Sequence, residues 1–109
     1  MSGIRVVSLE EGAAMASNPP ENLVVLDVRA DHEFGEGHLE GAIMIDVQLE
    51  DFPEKVGQLD KSVPYLVYCK AGSRSARAVE LMSQIGFTDV ADLEGGFMAW
   101  EEAGNPIAT

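Results

Sequence analysis

Cysteine and histidine are scarce in this chain. Its 109 residues hold one cysteine, Cys69, and two histidines, His32 and His38. A single cysteine excludes an internal disulfide, a Cys-x-x-Cys redox pair and a zinc site made of several thiolates. It also leaves no second thiol in the chain to resolve an oxidised Cys69. Two histidines beside one cysteine are a poor ligand set, so no metal is expected. A chain without disulfides fits a reducing compartment, and the expected location is cytoplasmic. Long apolar runs are missing too. No stretch approaches the ~20 residues needed to cross a bilayer. Residues 1–5 carry no apolar leader segment, and a membrane is not an expected partner.

Cations are the next shortage. Seven lysines and arginines face nineteen acidic residues, for a net charge of −12. That balance argues against nucleic acid as a partner, because phosphate backbones attract cations. The distribution is more telling than the total. No acidic residue lies between Asp60 and Glu80, yet Lys61, Lys70, Arg74 and Arg77 all do. The segment around Cys69 is a positive island on an acidic molecule, as an anion site requires.

What is present is one domain, residues 1–109, with 46% apolar residues to fill one core. Residues 4–7 read as a strand. Ser8 with Glu11 reads as a capping box opening a helix to about Ser17, which Asn18, Pro19 and Pro20 stop. Residues 23–28 form a nearly continuous apolar run, the pattern of a strand covered on both faces. Residues 31–34 suggest one helical turn ended by Gly35 and Gly37, and residues 42–45 a short buried strand. From 47 to 58 the reading is ambiguous: Leu49, Phe52, Val56 and Leu59 recur at helical spacing, but Pro53 limits it. Strands are expected at 65–69 and 89–93. A helix from Ser73 or Ser75 to Ile85 ends at Gly86, and a last helix covers 96–103. Strands alternating with helices imply an α/β fold: about five strands in a mainly parallel sheet, with helices on both faces. No surplus amphipathic helix demands a partner, so a monomer is expected.

Ligands of such sheets bind beyond the carboxyl ends of the strands, and Cys69 ends one. Strand, cysteine, compact loop and helix place a thiolate under the positive end of a helix. There it binds anions and gains nucleophilicity at neutral pH. Gly72 lets the backbone turn so that amides of residues 71–75 face one point, as in an anion nest. Ser73 and Ser75 add hydroxyl donors or cap the helix. Cys69 to Arg74 leaves four residues between, whereas cysteine phosphatases have five, and Tyr68 stands where such enzymes commonly have histidine. The smaller ring suits a sulfur atom better than a phosphate. The remaining candidates have plain readings. His38 is a structural histidine bonded to backbone, and His32 sits on a solvated turn. Asp27, Arg29 and Glu33 form an internal ion-pair cluster. Phe97 and Trp100 belong to the core. Arg77, Glu50, Asp51 and Glu54 are solvated.

Five motifs occur in order: Leu26-Asp27-Val28-Arg29; Glu33-Phe34; Gly37-His38-Leu39-Glu40-Gly41-Ala42; Cys69-Lys70-Ala71-Gly72-Ser73-Arg74-Ser75; and Gly95-Gly96-Phe97-Met98-Ala99-Trp100. Together they resemble the single-domain rhodaneses, a family of sulfurtransferases, over nearly the whole chain. The resemblance implies a rhodanese-like fold with Cys69 as catalytic residue and Lys70, Ala71, Gly72, Ser73, Arg74 and Ser75 as the substrate-binding loop. It implies a Cys69 persulfide that moves sulfane sulfur from a small anionic donor, thiosulfate or another persulfide, to a thiophilic acceptor: cyanide, a thiol or a protein. No cofactor is implied. Lys70 and Arg74 would draw in the donor. Lys70 stands where the family often has arginine, so a point charge replaces a planar fork. Glu40 replaces a common proline. The alternative is a non-catalytic rhodanese-like docking module, or a sulfur carrier with little thiosulfate turnover.

Overall fold

The computed structural model describes residues 3–109; Met1 and Ser2, part of the stretch read above for a leader, lie outside the described residues. The element order is β1 (Ile4–Val7), α1 (Leu9–Ser17), β2 (Val24–Asp27), α2 (Asp31–Glu36), β3 (His38–Leu39), β4 (Ile43–Met44), α3 (Phe52–Val56), β5 (Tyr65–Tyr68), α4 (Ser73–Gln84), β6 (Val90–Leu93), α5 (Gly96–Glu102) and β7 (Ile107–Ala108). Five strands form one parallel sheet in the order β1-β6-β5-β2-β4. The α/β architecture expected from the alternating pattern is the one observed.

Strand alternation divides the core. On one face Tyr65, Val67 and Cys69 of the central segment pack with Ala78, Val79 and Met82 of α4 and Phe52 and Val56 of α3. On the other, Leu66 and Tyr68 pack with Phe97 and Trp100 of α5, with Leu9 and Ala13 of α1 against them. All four residues of β5 are buried, because helices cover both of its faces. The capping box closes as read. Glu11 N–H donates to Ser8 Oγ at 3.1 Å, and Ser8 N–H donates to Glu11 Oε1 at 3.2 Å. Such a cap contributes about 1 kcal/mol.

Two expectations need correction, one open stretch is resolved, and one ladder is new. The segment 42–45 is not a buried strand. Only Ile43 and Met44 pair, on the edge of the sheet, and Ile43 is 42% exposed. The helix at 31–34 runs through Gly35 to Glu36, and Gly37 alone ends it. In the ambiguous stretch a short helix forms over Phe52–Val56 with Pro53 in its first turn, where the missing N–H costs nothing. Leu49 stays outside that helix, exposed. Finally, β3 and β7 form a small antiparallel ladder, His38 with Ala108 and Leu39 with Ile107, that has no counterpart in the sequence reading.

Candidate active site

Cys69 follows β5 directly, at the carboxyl end of the sheet. From there the chain reverses within three residues, and α4 begins at Ser73. Gly72 makes the turn possible. Its φ of +125° is a conformation that L side chains rarely adopt. The turn aims the Gly72 N–H back at the sulfur, to which it donates at 3.0 Å. Ser75 Oγ lies 3.5 Å from Sγ on the other side. Neither serine caps the helix: Gly72 is the N-cap with no side-chain bond. Ser75 is fully buried and donates its hydroxyl to Gly72 O at 3.2 Å.

These donors decide the charge on the thiol. Burial opposes ionisation, and Cys69 is only 1% exposed. The Ser75 hydroxyl and the backbone N–H groups of Ser75, Gly72 and Ala71 outweigh that cost, so the thiol ionises below its ordinary value. Cys69 therefore packs on the aliphatic core while the loop amides converge on its sulfur.

The loop is also held from outside. Phe97 N–H donates to Cys69 O at 2.8 Å and Met98 N–H to Lys70 O at 3.0 Å, so the first turn of α5 docks on the carbonyls at the loop's start. That approach requires glycine. A Cβ on Gly96 would stand 2.5 Å from Cys69 O and 2.6 Å from Lys70 O. The sequence showed the Gly95-Gly96 pair as a motif but gave it no task; a glycine pair opening a helix just past a strand was the available signal.

The two loop cations separate. Lys70 is exposed and makes no ion pair among the described residues; it borders a cleft of about 270 Å³ with Glu33, Glu36, Phe97 and Met98. Arg74 is not free. Its two terminal nitrogens donate to both Glu33 oxygens, at 2.6 and 3.0 Å. Glu33 thus takes its ion-pair hydrogen bonds from Arg74 while still feeling the charge of Arg29, and the pairing engages the guanidinium expected to draw in an anion. The Arg74 hydrogen bonds hold the Glu33 carboxyl down to about 2. Ala71 and Ser73 are exposed at the rim.

Asp27 and Arg29 do form a buried cluster. Arg29 donates from Nη2 to Asp27 Oδ2 at 2.7 Å and to Gly37 O at 2.6 Å. Tyr68 O–H donates to Asp27 Oδ2 at 2.7 Å, and Leu39 N–H donates to the Tyr68 oxygen at 3.1 Å. The guanidinium lies 4.4 Å from the Phe97 ring centre, a cation–π contact. The network ties β2 to the loop after α2 and to α5. His38 lies beside it, its Nδ1 2.8 Å from Phe34 O and its ring stacked on Phe34, a structural position as read. Trp100 is buried, with Nε1–H bonded to Pro106 O at 2.8 Å, and stands apart from the cysteine loop.

A five-stranded parallel sheet carrying a cysteine in an amide-lined loop at its carboxyl edge defines a class of domain. The chain belongs to the rhodanese-like domain family, whose profile matches residues 8–103. Over 103 residues it is 32% identical to the thiosulfate sulfurtransferase GlpE of Shewanella oneidensis, spanning 94% of this chain and 98% of that one. A rhodanese-related protein of Thermoplasma volcanium superposes with a TM-score of 0.81 at 35% identity, covering 95% of this chain and 97% of its own. The same fold occurs inside larger proteins. A tRNA uridine(34) hydroxylase of Cytophaga hutchinsonii is 36% identical over 95 residues, which make up 84% of this chain but 30% of the hydroxylase.

Proposed function

We propose that the protein is a sulfurtransferase that relays sulfane sulfur through a persulfide on Cys69, with thiosulfate or another small anionic persulfide as donor. The carrying observation is the Gly72 N–H aimed at Sγ at 3.0 Å with Ser75 Oγ 3.5 Å away, a loop environment that favours Sγ as an anion against its burial. A resident pool of thiolate is the first requirement of the reaction. The thiolate attacks the outer sulfur of thiosulfate. A Cys69 S–S bond forms, the donor's S–S bond breaks, and its electron pair leaves with sulfite. The amides that held the thiolate then hold the terminal persulfide anion. Cyanide or a thiolate attacks that outer sulfur, takes it, and returns the electron pair to Sγ. No general base and no resident cofactor enter this scheme. Free Lys70 at the rim draws the donor anion.

The relative named a thiosulfate sulfurtransferase supports thiosulfate as donor. A protein acceptor and a cytoplasmic location fit the same scheme. Among the described residues no helix is long and apolar enough to cross a membrane. The test is thiocyanate formation from thiosulfate and cyanide, with mass spectrometry of the treated protein. Wild type is expected to turn over and to gain the mass of one sulfur on Cys69, and Cys69→Ser to do neither. Equal rates in the two proteins overturn the role of Cys69. An unmodified wild-type thiol shifts the reading to a docking module. An adduct without turnover shifts it to a carrier.

A further inference from the structure

Sulfur transfer leaves a second cavity of the molecule unused. It has a volume of about 430 Å³, within the ~300–1,000 Å³ typical of small-molecule sites. It lies on the side of the sheet away from the thiol. Its floor is Trp100 of α5, Leu39 of β3 and Val25 of β2. All three belong to the core half that packs against α1 and α5, whereas Cys69 belongs to the half under α3 and α4. Alanines of α1, among them Ala16, line the wall. A methyl group is too short to fill the space in front of it, so the opening persists between helix and sheet.

The polar groups of this cavity are mostly acceptors. Glu40 is the one charged residue that lines it. Glu40 is exposed and makes no ion pair among the described residues. The Ser17 hydroxyl gives its hydrogen to Ala14 O at 3.4 Å and keeps its lone pairs. Asn105 adds a side-chain amide, which accepts as well as donates. Trp100 has no donor to offer, because its indole N–H is bonded to Pro106 O at 2.8 Å. No lysine, arginine or histidine lines the cavity. A ligand carboxylate would meet Glu40 with no counter-charge. An ammonium group has three hydrogens to give and no lone pair. It is attracted by Glu40 and by a molecule of net charge −12.

We propose that this cavity binds a small organic amine, with an apolar body seated over Trp100, Leu39 and Val25 and its ammonium group at Glu40. The apolar body supplies the attraction by leaving water. The ammonium supplies the choice among ligands, since a group of the wrong charge is placed against an unpaired carboxylate. The site is independent of the sulfurtransferase reading. Its occupant does not meet Cys69, which faces the other side of the sheet.

Trp100 is the only tryptophan of the chain, so its fluorescence reports on the cavity without a label. Phenethylamine, phenethyl alcohol and hydrocinnamate share one phenylethyl body and differ in charge. Each is titrated against Trp100 emission and against the NMR signal of the indole N–H. The amine is expected to saturate both signals at a concentration roughly threefold to fivefold below the alcohol, the effect of one ion pair at an exposed rim. The acid is expected to bind weakest. Glu40→Gln is expected to bring the amine to the affinity of the alcohol. Glu54→Gln removes an equal charge from an exposed position on α3 and is expected to keep the preference. Ala16→Phe puts a ring on the cavity wall and is expected to abolish the response to all three probes. Thiosulfate is expected not to displace the amine. No saturable response in either signal overturns the proposal, as does equal affinity for amine and acid. A preference that survives Glu40→Gln, or that Glu54→Gln also erases, overturns it too. Binding that persists in folded Ala16→Phe, or that thiosulfate displaces, puts the amine elsewhere and overturns the site. Glu40 is exposed, so Glu40→Gln is expected to fold and decides the matter even if Ala16→Phe does not.

Discussion

Arg29 is the residue on which the most buried polarity depends. It neutralises Asp27 and accepts no exposure of its own: the side chains are 4% and 0% exposed. Removing one member of a buried pair leaves an uncompensated charge, which typically costs about 3–5 kcal/mol. Arg29→Ala is expected to lose at least ~3 kcal/mol in urea unfolding, since the bonds to Asp27, Gly37 O and the Phe97 face go together. A midpoint matching wild type would show that the cluster contributes nothing. This pair was legible in the sequence because its members stand two residues apart on the end of an apolar run. The partner of Glu33 was not. Arg74 lies 41 positions away, and nothing in local spacing distinguishes that cation from Arg29. Cys69 and its loop were legible for the opposite reason: sulfur, turn glycine and hydroxyls are contiguous.

At the scale of elements, the joint between α5 and the cysteine loop matters most. Gly96 adopts φ +59° and presses on two carbonyls. Gly96→Ala is expected to separate the α5 amides from Cys69 O and Lys70 O, because a Cβ at 2.5 Å must be relieved by moving backbone. The cost is about 1–3 kcal/mol, with loss of thiocyanate formation as the loop is released. Gly104→Ala is the control. It also sits at positive φ, +79°, but a Cβ there meets nothing within 4 Å, so only a small stability loss and normal turnover are expected. Equal turnover in the two variants would show that loop geometry does not depend on α5. The long elements were readable because periodicity and caps agree over many residues, as at Ser8 with Glu11 and from Ser73 to Gln84. The ladder of β3 and β7 was not. Two-residue strands have no period to detect, and their pairing joins His38–Leu39 to a segment near the far end of the chain. The helix through Gly35 was missed because glycine is read as a stop, whereas here the helix runs on from Asp31 to Glu36 and ends at Gly37.

For the whole molecule, the Glu33–Arg74 bridge connects opposite sides of the site, fastening α2 to α4 across the carboxyl edge of the sheet. In the proposed reaction it links global stability to donor binding. Glu33 has an ordinary value of 4.5 and about 2 in the fold, held down by the Arg74 hydrogen bonds. A folded-state value below the unfolded one means that the stabilisation is complete above the unfolded value. It is lost as pH falls from 4.5 toward about 2. With the carboxylate part exposed, screening reduces the contribution to about 1–2 kcal/mol. Glu33→Gln is therefore expected to be less stable than wild type by about that amount at neutral pH, with the gap closing through this acid window. A gap constant with pH would show that the ion pair is not its source. The same substitution frees the Arg74 guanidinium beside the thiol, on a molecule whose net charge of −12 otherwise repels anions. Guanidinium binds oxyanions through its planar fork, so the KM for thiosulfate is expected to fall severalfold while kcat changes little. Added salt is expected to erase that gain more steeply than it affects wild type, because the new attraction is between charges at an open rim. A KM that stays at the wild-type value in the less stable variant would mean that Arg74 holds the loop in place and has no reach toward the donor.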